Sequence, residues 1–398
     1  MKPTFIRQIK NSIISISTTV LACVAALGLV LLALWLAGYP PIGILHRWVI
    51  GSVGRMYYIS NSLAETCPLL LTGLAAGIAF RSGVLNIGAQ GQFLVGAMVS
   101  VGLATRWQMV SAPFAVILVA VLGGMLAGGL WAALASLLER WRGVPIVLST
   151  ILLNFIALYA VQAVLDGPLQ AHGTSAPQSP EVQGAYWLPV LIQFSSLHIG
   201  IIFAFALAVV MYGINRQTPF GFQTLVSGLN PRAAKLAGIP VESRQFMTMF
   251  ISGCCAGMGG AFQVLGVTHF MTADFGNYGY AGIAVALLGR LNPIGIACAA
   301  LFFGLLDTGA LRVEESSLGL PHNIANVVKG MVVLVMLLLI AFIQRRRLAA
   351  ILPEGGTALS GEAGAPSQPP AISSESGGAK PSPADQPGQP GQSTKGAE

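Results

Sequence analysis

Eight polar side chains stand inside or beside long uncharged stretches of this chain: Asn86, Gln90, Gln92, Asn154, Gln162, Gln263, Asp307 and Lys329. A charge at the centre of a bilayer costs on the order of 3 kcal/mol, so an ionisable group there needs a partner or a wet cavity. Asp307 and Lys329 could pair, line a path, or lie near the outer interface in contact with water. Asn154, Gln162 and Gln263 are neutral hydrogen-bonding groups, able to hold a polar uncharged solute and equally able to bridge helices. Asn86, Gln90 and Gln92 follow a Gly-interrupted stretch after Arg81. Together the eight are candidates for lining a solute pathway.

Covalent chemistry has no comparable signal. The chain carries no G-x-x-x-x-G-K-[ST] phosphate loop, no H-E-x-x-H and no G-x-S-x-G, so it is not expected to hydrolyse ATP or to act as an enzyme. Its five histidines are scattered. Its five cysteines, Cys23, Cys67, Cys254, Cys255 and Cys298, lack metal or disulfide spacing and read as small core residues. No metal and no cofactor is expected.

A second group of residues points to docking. Asn230 can cap the orphan amides of a first helical turn, Pro231 suits the first helical position, and Gly238 can adopt the left-handed conformation that ends a helix. The segment from Asn230 to Ile239, containing Arg232, Ala233, Ala234 and Lys235, is therefore expected to form a self-delimited helix of about two turns over 230–238. Such a helix is marginal alone and must pack against something. A partner protein is the expected surface.

The elements that hold these groups follow from composition. The 398 residues are 54% hydrophobic and 9% charged, with mean hydropathy +0.73, against about 25% charged for a globular chain. This is an all-α polytopic membrane protein by composition. Uncharged stretches suited to spans of about 20 residues occur at 13–38, 63–80, 88–105, 114–138, 146–165, 197–214, 246–267, 278–288, 294–311 and 324–343. The first is too long for a signal-peptide core and should stay in the mature protein. About ten transmembrane helices result.

Basic residues set the orientation. Lys2, Arg7 and Lys10, then Arg140 and Arg142, then Arg216, Arg232, Lys235 and Arg244, and finally Arg345 to Arg347 all fall on one side of a ten-span topology. Residues 166–187 and 268–278 contain no Lys or Arg, although Arg47, Arg55, Arg106 and Arg312 dilute the asymmetry elsewhere. Both termini are expected to be cytoplasmic. The net charge of +7 reflects this topology, with anionic membrane lipid as its partner and no nucleic acid indicated.

Residues 1–12 form the cytoplasmic N-terminus, 13–345 the membrane domain, and 346–398 a tail. From Pro353 onward the composition turns to Pro, Gly, Ser, Ala and Gln and is expected to be disordered. Residues 39–60 and 167–187 are expected to carry short interfacial structure. A short internal echo links Ala76-Gly77-Ile78-Ala79 and Leu85-Asn86-Ile87-Gly88 with Ala281-Gly282-Ile283-Ala284 and Leu291-Asn292-Pro293-Ile294-Gly295. In each copy a span runs into an Arg and an interrupted stretch. Interrupted backbone at membrane depth must be satisfied by protein or by a water-filled cavity, and paired interruptions point to a transport pathway. Tight cytoplasmic turns would leave the same pattern.

The stretches Gly73 to Phe93, Gly228 to Ile239, and Gly279 to Arg290 with Asn292-Pro293 closely resemble the permease subunits of bacterial ABC importers for nucleosides and simple sugars. The resemblance covers most of 63–342. It implies a fold like those of the ribose and vitamin B12 importers. Two permease subunits would pair around a central path, each docking a cytoplasmic coupling helix (Asn230, Pro231, Arg232, Ala233, Ala234, Gly238 and Ile239 here) into a dimeric ATPase. A substrate-binding protein would deliver solute from outside. The family commonly has Glu where Gln90 stands, Asn-Glu where Pro145-Ile146 stand, and Gln where Lys329 stands. Gln92 after Gly91 is similar to the larger member of two-permease systems, which implies a heterodimer, with a homodimer as the alternative. The expected place is the bacterial inner membrane. The competing reading from another class is an ion-coupled secondary transporter using Asp307, Glu65 or Lys329, and a third is a scaffold or receptor without transport.

Overall fold

In the computed structural model, residues 38–106, 112–174 and 176–314 are described, with the single positions 28, 31, 32, 35, 36, 330 and 334. The expected span 324–343, most of 13–38, Lys329, Cys23, both termini and the tail lie outside the described residues. Eleven α-helices occur among the described residues, with no β-strand: α1 Pro41–Val53, α2 Met56–Arg81, α3 Ala89–Arg106, α4 Pro113–Arg142, α5 Ile146–Leu165, α6 Gly200–Gln217, α7 Pro219–Leu229, α8 Pro231–Leu236, α9 Val241–Gln263, α10 Tyr278–Leu288 and α11 Pro293–Glu314.

Six of the helical stretches are long and apolar enough to cross a membrane: α2, α4, α5, α6, α11, and α9 with its extension to Thr268. The expected eighth span is a helix, but its 11 residues cover about 16 Å, roughly half of a ~30 Å hydrocarbon core. It does not cross alone. Several helices outrun the uncharged stretches that announced them. α4 runs on to Arg142 and α9 starts at Val241, because Glu139, Arg140, Arg142, Glu242 and Arg244 lie at helix ends, where a charge ends an apolar run without ending the helix.

α2, α3 and α9 form the buried centre, with α4 packed across α3 and α9 and α11 across α2. The α4–α9 crossing depends on glycine. A side chain on Gly257 would run into the backbone of Gly124 and Gly128, and one on Gly128 into Gly253 and Gly257. The two backbones touch, as small residues permit in membrane bundles. The lipid-facing helices read differently: along α5 the residues Leu148, Leu152, Phe155, Ile156 and Tyr159 are exposed, while Ser149, Thr150, Leu153, Asn154 and Ala157 are buried.

Two helices were not foreseen individually. α1, within the stretch expected to be interfacial, buries Ile44, Trp48, Gly51 and Ser52, one stripe at helical spacing, against α11. The Trp48 indole donates to the Leu306 carbonyl at 3.2 Å and the Ser52 hydroxyl to that of Leu305 at 2.7 Å. α7 begins with Thr218 as its cap, accepting from Gly221 N, and Pro219 at its first position.

Residues 166–174 and 176–199, between α5 and α6, are irregular apart from a 3-10 turn at Gly184–Tyr186 and are laced onto the segment after α9. Ser179 N donates to Met271 O, Val182 N to His269 O, and Leu188 N to Leu265 O, each at 2.9 Å. α9 itself ends in a π-helical turn, Val264–Thr268, of the kind frequent at functional sites. His198 is 1% exposed beneath this lid, between Gly200, Gly266 and Phe262, and its Nδ1 accepts from Gly200 N at 3.1 Å. Burial pushes its imidazole down to about 4, with His269 adding to the effect. His269 stacks on Trp187, ring centroids 3.6 Å apart, at the left-handed residue that ends the π turn.

Candidate functional site

The two interrupted stretches share one backbone plan. α2 ends with Gly83 N donating to Phe80 O and Val84 N to Ala79 O, and α10 ends with Arg290 N donating to Leu287 O and Leu291 N to Ala286 O. Both are Schellman-type endings. Each is followed by an asparagine whose Oδ1 accepts from the backbone two residues on: Asn86 from Gly88 N at 2.9 Å, Asn292 from Ile294 N at 3.2 Å. The sequence echo therefore has a structural counterpart. At the first break the left-handed residue is Gly83 (φ +82°); at the second it is the pair Arg290 (+54°) and Leu291 (+57°), a conformation that costs non-glycine residues about 1–2 kcal/mol each.

After the first break the chain turns back into the bundle, and side-chain amides replace the missing helix bonds. Asn154 on α5 accepts from Gly91 N at 2.8 Å and donates to Ile87 O at 2.9 Å. Gln92 and Asn86 exchange amide hydrogen bonds at 3.0 and 3.1 Å, and Asn86 also donates to the Ser252 hydroxyl of α9 at 2.8 Å. Gln90 bridges the entry to α10, donating to Gly276 O at 2.6 Å and accepting from Gly279 N at 2.8 Å. All four side chains are buried, as such groups must be paired away from water. Asn86, Gln90, Gln92 and Asn154 thus come together as one brace around the first break and the entry to α10.

The remaining candidates separate. Gln263 at the end of α9 is buried and donates to the Tyr278 phenol at 3.2 Å, while its Oε1 has no partner among the described residues. That phenol donates to Glu65 at 2.7 Å, and Asp307 on α11 is near enough to act on it electrostatically. Phe93 packs against Tyr278 and Phe275, centroids 5.4 and 6.0 Å away. Gln162 stands apart on the exposed face of α5. Sequence reasoning left Tyr278 out and named Glu65 only for ion coupling in the competing reading; the shared signal was a carboxylate and a phenol in apolar helices, which gives no indication that they meet.

The docking group has the expected caps in a shorter helix. Asn230 accepts from Ala233 N at 3.0 Å, Pro231 is the first residue, and Gly238 (φ +79°) closes the end with Ile239 N donating to Ala234 O. The helix is Pro231–Leu236, against the expected 230–238, because Ala237 and Gly238 already belong to its closing turn. Ala234 is fully buried, whereas Leu236 is 92% exposed and Leu229 before the helix 75%. Lys235 pairs with Glu242 at 2.6 Å, both side chains exposed, and Arg140 acts on the same carboxylate. One end of the bundle thus gathers Arg140, Arg232 and Lys235 around an apolar tip.

A bundle with paired helix breaks and an exposed capped helix at a cation-rich end is the architecture of a transport subunit, and comparison with known proteins agrees. The guanosine ABC transporter permease protein NupP of Bacillus subtilis is 33% identical over 291 residues, which cover 71% of this chain and 82% of its own length. NupQ, also a guanosine ABC transporter permease protein of Bacillus subtilis, is 32% identical over 306 residues, 72% of this chain and 92% of its own. The glucose ABC transporter permease protein TsgB13 of Haloferax volcanii is 30% identical over 328 residues, 79% of this chain and 84% of its own. The family described as branched-chain amino acid transport system / permease component matches residues 58–341, a stretch that takes in both breaks and the capped helix; the chain belongs to that family and is a multi-pass permease subunit of an ABC importer.

Proposed function

We propose that this permease carries a nucleoside or a simple sugar across the bacterial inner membrane, driven by a separate ATPase that grips α8 on the cytoplasmic side. Both termini lie on that side. The observation that carries the reading is the exposed apolar tip at Leu229 and Leu236 beside Arg232 and Lys235, left uncovered by the bundle that buries Ala234 on the same helix. An ATPase surface would cover that tip, and nucleotide-driven closure would move it. A substrate-binding protein delivers solute at the opposite end. A second permease completes the path, in line with the two guanosine permease proteins NupP and NupQ of one organism, both similar to this chain.

The solute class follows from the relatives' names and from the neutral amides. Asn86, Gln90, Gln92 and Asn154 frame the path, and Gln162, on the exposed face of α5, stands apart from them. Gln263 and Asp307 border it from α9 and α11, and Lys329 belongs with them by its sequence position. Glucose in one relative's name and guanosine in two others leave sugar and nucleoside both within the class.

Proteoliposomes holding this chain, its partner permease, the ATPase and the loaded binding protein test the reading. Uptake of labelled guanosine or ribose should vanish when the ATPase carries a dead catalytic site and should survive collapse of ion gradients. Uptake without ATP would refute it. Titrating the binding protein with nucleosides and pentoses identifies the solute. A cysteine at Ala233 should resist membrane-impermeant labelling in intact cells, and outer-surface labelling would overturn the topology.

A further inference from the structure

The coupling helix has to reach the bundle interior through something rigid; besides its direct run into α9, a second connection leads through α7. α8 follows α7 with only Asn230 between them, and α7 ends against the turn that closes α2. A side chain on Gly228 would collide with the Arg81 carbonyl oxygen and lie 2.8 Å from Gly83 N and 3.0 Å from the Ser82 carbonyl carbon. The reverse also holds: a Cβ on Gly83 would sit 3.0 Å from the Gly228 Cα. Backbone meets backbone, with no side chain to act as a cushion.

The same turn is seated on α9. The Thr248 hydroxyl donates to the Ser82 hydroxyl at 2.8 Å, and Ser82 in turn donates to Ala79 O at 2.7 Å. One turn further along α9, Ser252 receives the Asn86 amide at 2.8 Å and donates to Ala75 O at 2.6 Å. Displacement of α7 therefore bears directly on the Ser82–Gly83 turn, backbone against backbone, and that turn is hydrogen-bonded to the helix that also holds the start of the amide brace. Close-packed interiors transmit such a displacement because they cannot absorb it by compression.

We propose that the Ser82–Gly83 turn is the joint through which ATPase-driven movement of α8 reaches the broken helix, with Gly228 as its contact and Thr248 as its seat. These are positioning residues. They touch neither solute nor ATPase, and they set how much solute moves for each ATP consumed. The inference rests on α8 being the ATPase docking element.

The test uses the full reconstituted importer and reads solute transported per ATP hydrolysed. Gly228→Ala separates α7 from the turn; uptake per ATP should fall by about tenfold, within the ~5–150-fold span typical of coupling between sites, while basal hydrolysis by the ATPase is unchanged. Wild-type stoichiometry in Gly228→Ala overturns the joint. If that variant fails to assemble, Thr248→Val and Thr248→Ser decide: loss in Val with rescue in Ser supports the proposal, and equal stoichiometry in both overturns it. A disulfide trap between Lys235→Cys and the ATPase separates the two levels of the argument. Trapping with unchanged stoichiometry refutes the joint alone, whereas no ATPase contact at α8 refutes the docking reading beneath it.

Discussion

Replacing Asn154 with leucine, a side chain of similar size, removes one acceptor and one donor from the brace without opening a cavity. Gly91 N loses its 2.8 Å partner and Ile87 O its 2.9 Å partner. Leaving a buried donor or acceptor unpaired costs about 1–3 kcal/mol each, so the pair amounts to ~2–6 kcal/mol. Interhelical hydrogen bonds in membranes average only ~0.6 kcal/mol where the inserted unfolded chain finds other partners. Here the larger figure governs: the orphaned groups are backbone atoms at a helix break, and Gly91 N and Ile87 O, although spaced as a helical pair, bond to the Asn154 amide and not to each other. At about 2–4 °C per kcal/mol, Asn154→Leu should lower the thermal midpoint of the detergent-solubilised protein by roughly 5–20 °C. Gln162→Leu, on the exposed face of the same helix, should stay within ~0.5 kcal/mol of wild type. Equal melting of Asn154→Leu and wild type would show that the break is satisfied some other way and would remove the argument for the brace.

Gly257→Ala forces α9 off Gly124 and Gly128 and should destabilise by about 1–3 kcal/mol in the same melting assay; unchanged stability would mean the two helices part without loss. Ala234→Asp puts a carboxylate where a fully buried methyl group sits, and Gly238→Val places a β-branched residue at φ +79°. Both should insert in the membrane at wild-type levels yet lose ATP-driven uptake, and wild-type uptake in both would dismiss α8 as the coupling element. His198 is held down at about 4 by burial, against an ordinary value near 6.5, so its neutral form stabilises the fold fully above pH 6.5 and that stability is lost as pH falls toward 4. Between pH 7 and 5 the melting midpoint should drop by the equivalent of about 2 kcal/mol, and His198→Asn should flatten that dependence; an equally steep profile in the variant would place the titration elsewhere.

The helix 146–165 and the short helix 278–288 were legible to the residue because local chemistry ends them: Pro145 before the first, and Gly289 with Arg290 after the second. The interruptions were legible for the same reason, since Gly, Asn and Pro announce a break wherever they sit. What the amides do there was not legible. Asn154 is 63 positions from Gly91, and the Tyr278 phenol is 213 from Glu65, so their pairing exists only once α5 and α10 are packed. Length misled in the opposite sense at α10, where a run of apolar residues signals burial and says nothing about crossing. α1 and α7 escaped notice as separate helices because each is short and owes its stability to a stripe buried against a neighbour.

The choice of an uncharged residue at Gln90 has a physical logic in this packing. Its two amide ends face opposite demands, the Gly276 carbonyl needing a donor and the Gly279 N–H needing an acceptor. A carboxylate would serve the second and repel the first at 2.6 Å, and it would also carry a charge into the buried start of α10. Neutral amides at Asn86, Gln90, Gln92 and Asn154 satisfy donors and acceptors alike, so the backbone at the first break and at the entry to α10 is held by groups that carry no charge.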